Sequence, residues 1–242
     1  MLTHSFEDLA QAFRVLLESE WSCRRLLEVD RAEAIGNLES GLNTQLNAFH
    51  NIYDNMLQND IGPMWYLEPQ LLMLLVIRNA RHHNKANRIR TLYNFHRNVV
   101  ENPTTVKNYF YVDFPSPPEE EGGDCFDVHM SWSDIDNMLS LPRAESRLRP
   151  DARERIRNYV NADKFEEEAT KLGFQKEDIF INYVPLSLNA GIALHPHVNQ
   201  HVNVNEDSTE ARFFLHHFEK TRPAITDTHE YSVIPFKLPP KD

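Results

Sequence analysis

Residues Arg78-Asn79-Ala80-Arg81-His82-His83 place permanent cations, a carboxamide and two imidazoles within about a turn and a half of expected helix. Such a set can cut a phosphodiester without a metal. Arginine stays charged and can hold phosphate oxygens bidentately. Histidine takes or gives a proton near neutral pH. Asparagine can fix an imidazole or a ribose hydroxyl through its donor and acceptor. A second polar cluster, His195-Pro196-His197-Val198-Asn199-Gln200-His201, raises a different chemistry. Alternating histidines on a strand project to one face, and three imidazoles can hold zinc. A polar stripe opposite Val198, Val202 and Val204 is equally the pattern of a half-exposed strand. His195, His197 and His201 are therefore a secondary, metal-hydrolase reading. His216, His217 and His229 could join them only through folding.

The first cluster follows Leu71-Leu72-Met73-Leu74-Leu75-Val76-Ile77, an apolar run that reads as a buried helix beginning near Glu68-Pro69. On that helix Asn79 and His83 share a face, as do Arg78 and His82. Arg78 and His83 lie roughly 140° apart around the axis, with Asn79 between them. The helix thus presents a broad polar edge.

Arg78-Asn79 followed by three residues and His83, late on an apolar helix, resembles the HEPN superfamily over residues 31–100. Its members are compact helical bundles, and many are metal-independent ribonucleases that act as dimers. Their motif is arginine, four to six residues, then histidine, often with a polar residue just after the arginine. His82 leaves a shorter spacing than that motif has, so His83 takes the role; the tyrosine that some members carry two residues after the histidine is Lys85 here. The resemblance implies a metal-independent endoribonuclease of toxin or anti-phage type that needs no cofactor. Arg78 would stabilise phosphate charge, His83 would act as acid or base, and Asn79 would orient one of them. It also implies RNA as substrate, a homodimer with the cleft at its seam, and an antitoxin or defence-system protein as partner. Arg81, Lys85 and Arg88 would contact RNA. The other reading of the same residues is a non-catalytic helical module that binds RNA or a protein.

Composition limits the alternatives. The chain has 242 residues, 41% hydrophobic and 25% charged, enough for a substantial core and one or two domains. A net charge of −11 argues against broad nucleic-acid coating but leaves room for a local basic cleft. Between Arg78 and Arg97 the sequence has no acidic residue; the competing reading is a solvated basic face balanced by Glu119-Glu120-Glu121. No apolar run is long enough for a membrane span, and the first residues do not form a signal peptide, so the expected location is cytoplasmic. Cys23 and Cys125 make neither a disulfide framework nor a zinc pattern. Cys125 near His129 lacks an evident orienting group for nucleophilic work. Trp21, Trp65 and Trp132 read as core or interface. There is no phosphate-binding glycine loop and no dinucleotide fingerprint.

The elements expected to position these residues fall on either side of residue 105. The fold class is α+β: a HEPN-like helical bundle over 1–104, then a smaller mixed α/β region over 105–242. Ser5 reads as the N-cap of a first helix carrying Leu9, Phe13 and Leu16. Asp30 with Glu33 reads as the start of a second, running from Ile35 to Met56. Gly36 and Gly41 would weaken it or allow close packing. A third helical region runs from Pro69 toward Val100 with a bend near residues 83–86, and Asn102-Pro103 stops it. Tyr109–Phe114, Ile179–Val184, Val198–Val204 and Tyr231–Phe236 have strand character. Helices are expected from Ser133, over 150–161, and from an Asp163–Glu166 capping box to Gly173.

Overall fold

The computed structural model describes residues 1–62, 65–82, 89–116, 126–146 and 148–240. Helix α1 (Leu2–Leu26) turns within a few residues into α2 (Arg31–Gln58). Asp30 caps α2, its carboxylate accepting from the Glu33 amide, as the sequence predicts. The helices run antiparallel: Asn55 near the end of α2 donates to Ser5 Oγ at 2.8 Å near the start of α1. Ser5 is therefore not the N-cap. α1 begins at Leu2, whose side chain is already buried, and Ser5 serves as a buried helix-to-helix acceptor. Gly41 lets the pair close up, because a Cβ there would stand 3.2 Å from Leu16 Cα.

Helix α3 (Pro69–His82) is the axis of the molecule. Leu71 through Ile77, and Ala80, are all buried. It packs on α2 and on α5 (Trp132–Leu139), α7 (Ala152–Tyr159) and α9 (Tyr183–Val198), so it is enclosed along most of its length. Helix α4 (Leu92–Val99) starts anew with Thr91 as N-cap. The continuous helical region expected from Pro69 toward Val100 is thus two helices, separated by non-helical residues 89–91 among those described.

The sheet has the order β2-β3-β1-β4: β2 (His129–Ser131), β3 (Ile179–Asn182), β1 (Lys107–Asp113) and β4 (Glu230–Phe236). β1 and β3 are parallel, with Tyr111 opposite Phe180, and the other two pairings are antiparallel. The period-two alternation sorts the side chains. Tyr109, Tyr111 and Phe180 face α4 through Leu92 and Phe95, while Phe110, Val112, Ile179 and Ile181 join the main core. Both faces are covered, which explains why β1 and β3 read as near-continuous apolar runs.

Helix α10 (Thr209–Lys220) returns to α1, where Phe214 stacks on Phe13 at 4.9 Å. The apolar core is continuous from Leu2 to Phe218 and crosses the boundary near residue 105. Short helices α6 (Arg143–Ser146) and α8 (Ala162–Lys171) complete the α-helices among the described residues, and a 3-10 turn (Lys176–Asp178) leads into β3. The Asp163 capping box does not form: Asn161 precedes α8 at φ 46°, and Asp163 pairs with Arg157 instead. Gly173, at φ 84°, follows α8 as expected.

The strand expected at 198–204 is also corrected. α9 runs to Val198 with Pro196 inside its last turn, and residues 199–201 form a 3-10 turn. Proline removes one hydrogen bond and adds steric conflict in a helix, but burial of Leu194, His195 and Val198 against the core offsets this.

Candidate functional site

Of the polar edge expected at the end of α3, the described side chains are Arg78, Asn79 and Arg81, and the two arginines differ sharply. Arg78 is the first polar residue after the buried run. Its side chain is half-buried, and Nη1 donates to Asn79 Oδ1 at 3.2 Å. Its Nε is sealed from solvent with no hydrogen-bond partner among the described residues. Burial lowers the guanidinium pKa from its ordinary value, and the field of Asp54 on α2 opposes that shift. No carboxylate lies within ion-pair distance of Arg78 among the described residues. Gln45, Trp65 and Tyr183 also hold orphaned buried polar atoms, but among the described residues only the Arg78 nitrogen belongs to a charged group.

Arg81, one turn on, is spent on the scaffold. Nε donates to Asn43 Oδ1 at 2.8 Å, Nη1 to the Ile89 carbonyl at 2.9 Å, and Nη2 pairs with Glu39. Glu39 also accepts from Thr91 Oγ1, and Thr91 caps α4. The residue expected to touch RNA thus clasps α2 and α3 to the start of α4. Arg90 is neutralised in the same way, with Nε and Nη2 forked on Asp134 at 2.7 and 2.6 Å. Glu39 and Asp134 are the visible counter-charges of this basic stretch. His83, Lys85 and Arg88, and Glu119-Glu120-Glu121, lie outside the described residues.

His195, His197 and His201 do not share a strand face. His195 is buried on α9, His197 is half-buried one residue from its end, and His201 is exposed on the following turn. Among the described residues no group of three His, Cys, Asp or Glu side chains is placed to hold a metal ion. His129 stacks on Tyr111 with centroids 4.0 Å apart, and burial pushes its imidazole down to about 3, so it is neutral at pH 7. Cys125 lies outside the described residues. Trp65 and Trp132 are core, whereas Trp21 is exposed.

Two arrangements had no local signature in the sequence. The carboxyl ends of parallel strands are where α/β sheets bind ligands, and Asp113 and Asn182 end β1 and β3 side by side. Asn182 closes that position. Its Nδ2 donates to Asp113, Asp127 and the Phe126 carbonyl, and its Oδ1 accepts from the Val128 and Val184 amides. The second is a charge network: Arg157 forks onto Glu166 at 3.0 and 2.8 Å and reaches Asp136 at 3.0 Å. Arg153 and Lys176 also pair with Asp136, and Trp132 Nε1 donates to Glu166 at 2.6 Å. Burial would raise both carboxyls, but the bonds from Lys176, Arg153 and Arg157 hold Asp136 below the usual range, and those from Arg157 and Trp132 do the same for Glu166. Its members lie far apart in sequence, so spacing could not reveal it.

No family model matches this chain, and no curated protein or solved structure matches it.

Proposed function

We propose that the chain is a metal-independent endoribonuclease of toxin or anti-phage type whose phosphate-holding group is Arg78. The observation that carries this reading is the half-buried guanidinium of Arg78, left without a carboxylate among the described residues while Arg81 and Arg90 close by pair with Glu39 and Asp134. A buried donor without a partner is costly and calls for an explanation. An RNA phosphate would give Arg78 an anion, in a partly desolvated setting where water screens the contact less. Asn79 already holds Nη1, so the guanidinium plane is set before substrate arrives. Proton transfer falls to His83, which follows the Arg-x4-His spacing. The attack would come from the ribose 2′-hydroxyl, with His83 removing its proton or protonating the leaving 5′-oxygen.

α3 is buried through Ile77, so a dimer seam would cross its last turn rather than its length. A two-fold axis there sets a second Arg78 and His83 opposite the first. The deciding experiment is RNA cleavage in excess chelator by wild type, Arg78→Ala and His83→Ala, with folding followed by circular dichroism. Cleavage that survives chelation and vanishes in both folded variants is the expected result. Cleavage at the wild-type rate in both would overturn the assignment, as would activity that chelation removes.

A further inference from the structure

Helices α9 and α10 pack so closely that a Cβ on Gly191 would stand 2.3 Å from the Phe218 ring. Beyond that contact they part around a cavity of about 550 Å³, which is within the range of small-molecule sites. His195 lines it, only 8% exposed, with no hydrogen-bond partner among the described residues. A buried imidazole normally finds partners: His96 bonds Tyr109 and the Pro103 carbonyl, and His229 bonds Tyr231 and the Val160 carbonyl. The other polar groups of the lining are Asn199, Thr209, Arg212, His216 and Glu219, and the charge of Glu219 acts on His195. Arg212 gives Nη1 to the Glu206 carbonyl at 3.1 Å and has no carboxylate within ion-pair distance among the described residues. Thr209 opens α10, so the positive end of that helix lies at the same end of the cavity. Phe213 adds an apolar wall and is itself 60% exposed. Glu219, the acidic residue of the lining, is about 15 Å along the helix from Thr209.

We infer that this cavity binds a small organic oxyanion, a phosphate ester or carboxylate with a flat apolar body. The anion lies against Arg212 and the first turn of α10, the body lies on Phe213, and a ring nitrogen of His195 hydrogen-bonds to the ligand. The site is independent of the α3 edge.

The test is titration of the full chain with phenyl phosphate, benzoate and inorganic phosphate, followed through the imidazole nitrogens by NMR. Saturable shifts at His195 with phenyl phosphate or benzoate are expected, and whichever binds tighter identifies the head group. Inorganic phosphate, lacking the body, should bind at least tenfold more weakly. Arg212→Ala, an exposed change that spares the fold, should weaken the tighter probe at least tenfold. His195→Phe should abolish its binding while leaving Tm unchanged, because the imidazole lines the cavity and bonds to nothing in the scaffold among the described residues. Absence of saturation with all three probes overturns the inference. So does an unchanged affinity in Arg212→Ala, or a lowered Tm in His195→Phe, which would make His195 a structural residue.

Discussion

Arg157 and Arg78 are both partly withdrawn from water, yet one is saturated with carboxylates and the other meets none among the described residues. Arg157 meets Asp136, Asp163 and Glu166 and joins α7 to α5 and α8. Arg78 meets a neighbouring amide and leaves Nε unpaired. The first pattern is what a scaffold requires, since buried charges persist when paired and hydrogen-bonded. The second gives the scaffold nothing. A cation that the fold does not use is the better candidate for a group that a substrate uses.

That contrast can be broken by mutation. Leu74→Ala, in the enclosed stretch of α3, sets the scale and should cost roughly 2–5 kcal/mol in urea unfolding. Arg157→Ala should cost about 3 kcal/mol, because Asp136 and Glu166 lose their shared partner in a poorly solvated place. A cost below about 1 kcal/mol there would mean that Arg153 and Lys176 suffice, and the scaffold half of the comparison would weaken. Gly191→Ala should cost about 1–3 kcal/mol, since the new methyl meets the Phe218 ring, which must move.

Acidification should act in two stages. Burial lowers the folded-state pKa of His96, His195 and His229 below the ordinary 6.5. The unfolded chain then binds more protons, so stability falls as pH drops below about 6.5. Asp136 and Glu166 have folded pKa values below their ordinary 3.8 and 4.5. Their contribution is present above those values and is lost as pH falls through the folded ones. Urea midpoints at pH 7, 5.5 and 3 should therefore decline in order. A flat profile from 7 to 5.5 would contradict the buried neutral histidines.

Arg78→Met should have the smallest effect on stability, within about 0.5 kcal/mol of wild type, because it keeps the buried stem and removes an orphaned donor. A loss as large as that of Arg157→Ala would erase the contrast between the two arginines.

Much of the fold was legible. Asp30 as a cap, the long amphipathic α1 and α2, the apolar lead of α3, and strands β1, β3 and β4 all follow from periodicity and capping chemistry, which act between near neighbours. The strand-like alternation of valines at 198–204 misled because a helix carrying Pro196 needs distant core contacts to hold it. Arg81 misled for a similar reason. Its letter is basic wherever it stands, and only Glu39 and Asn43, brought from α2, turn it into a clasp.

The sequence by itself determined the helical and strand segments and put Arg78, Asn79 and His83 on one short stretch, because those are properties of a few adjacent residues. The tertiary structure alone decided which charges are neutralised. Coulomb energy depends on distance and solvent exclusion rather than order along the chain. Arg157 and Asp136, Arg90 and Asp134, and Arg78, which has no ion pair among the described residues, therefore acquired their different roles only when the helices closed around them.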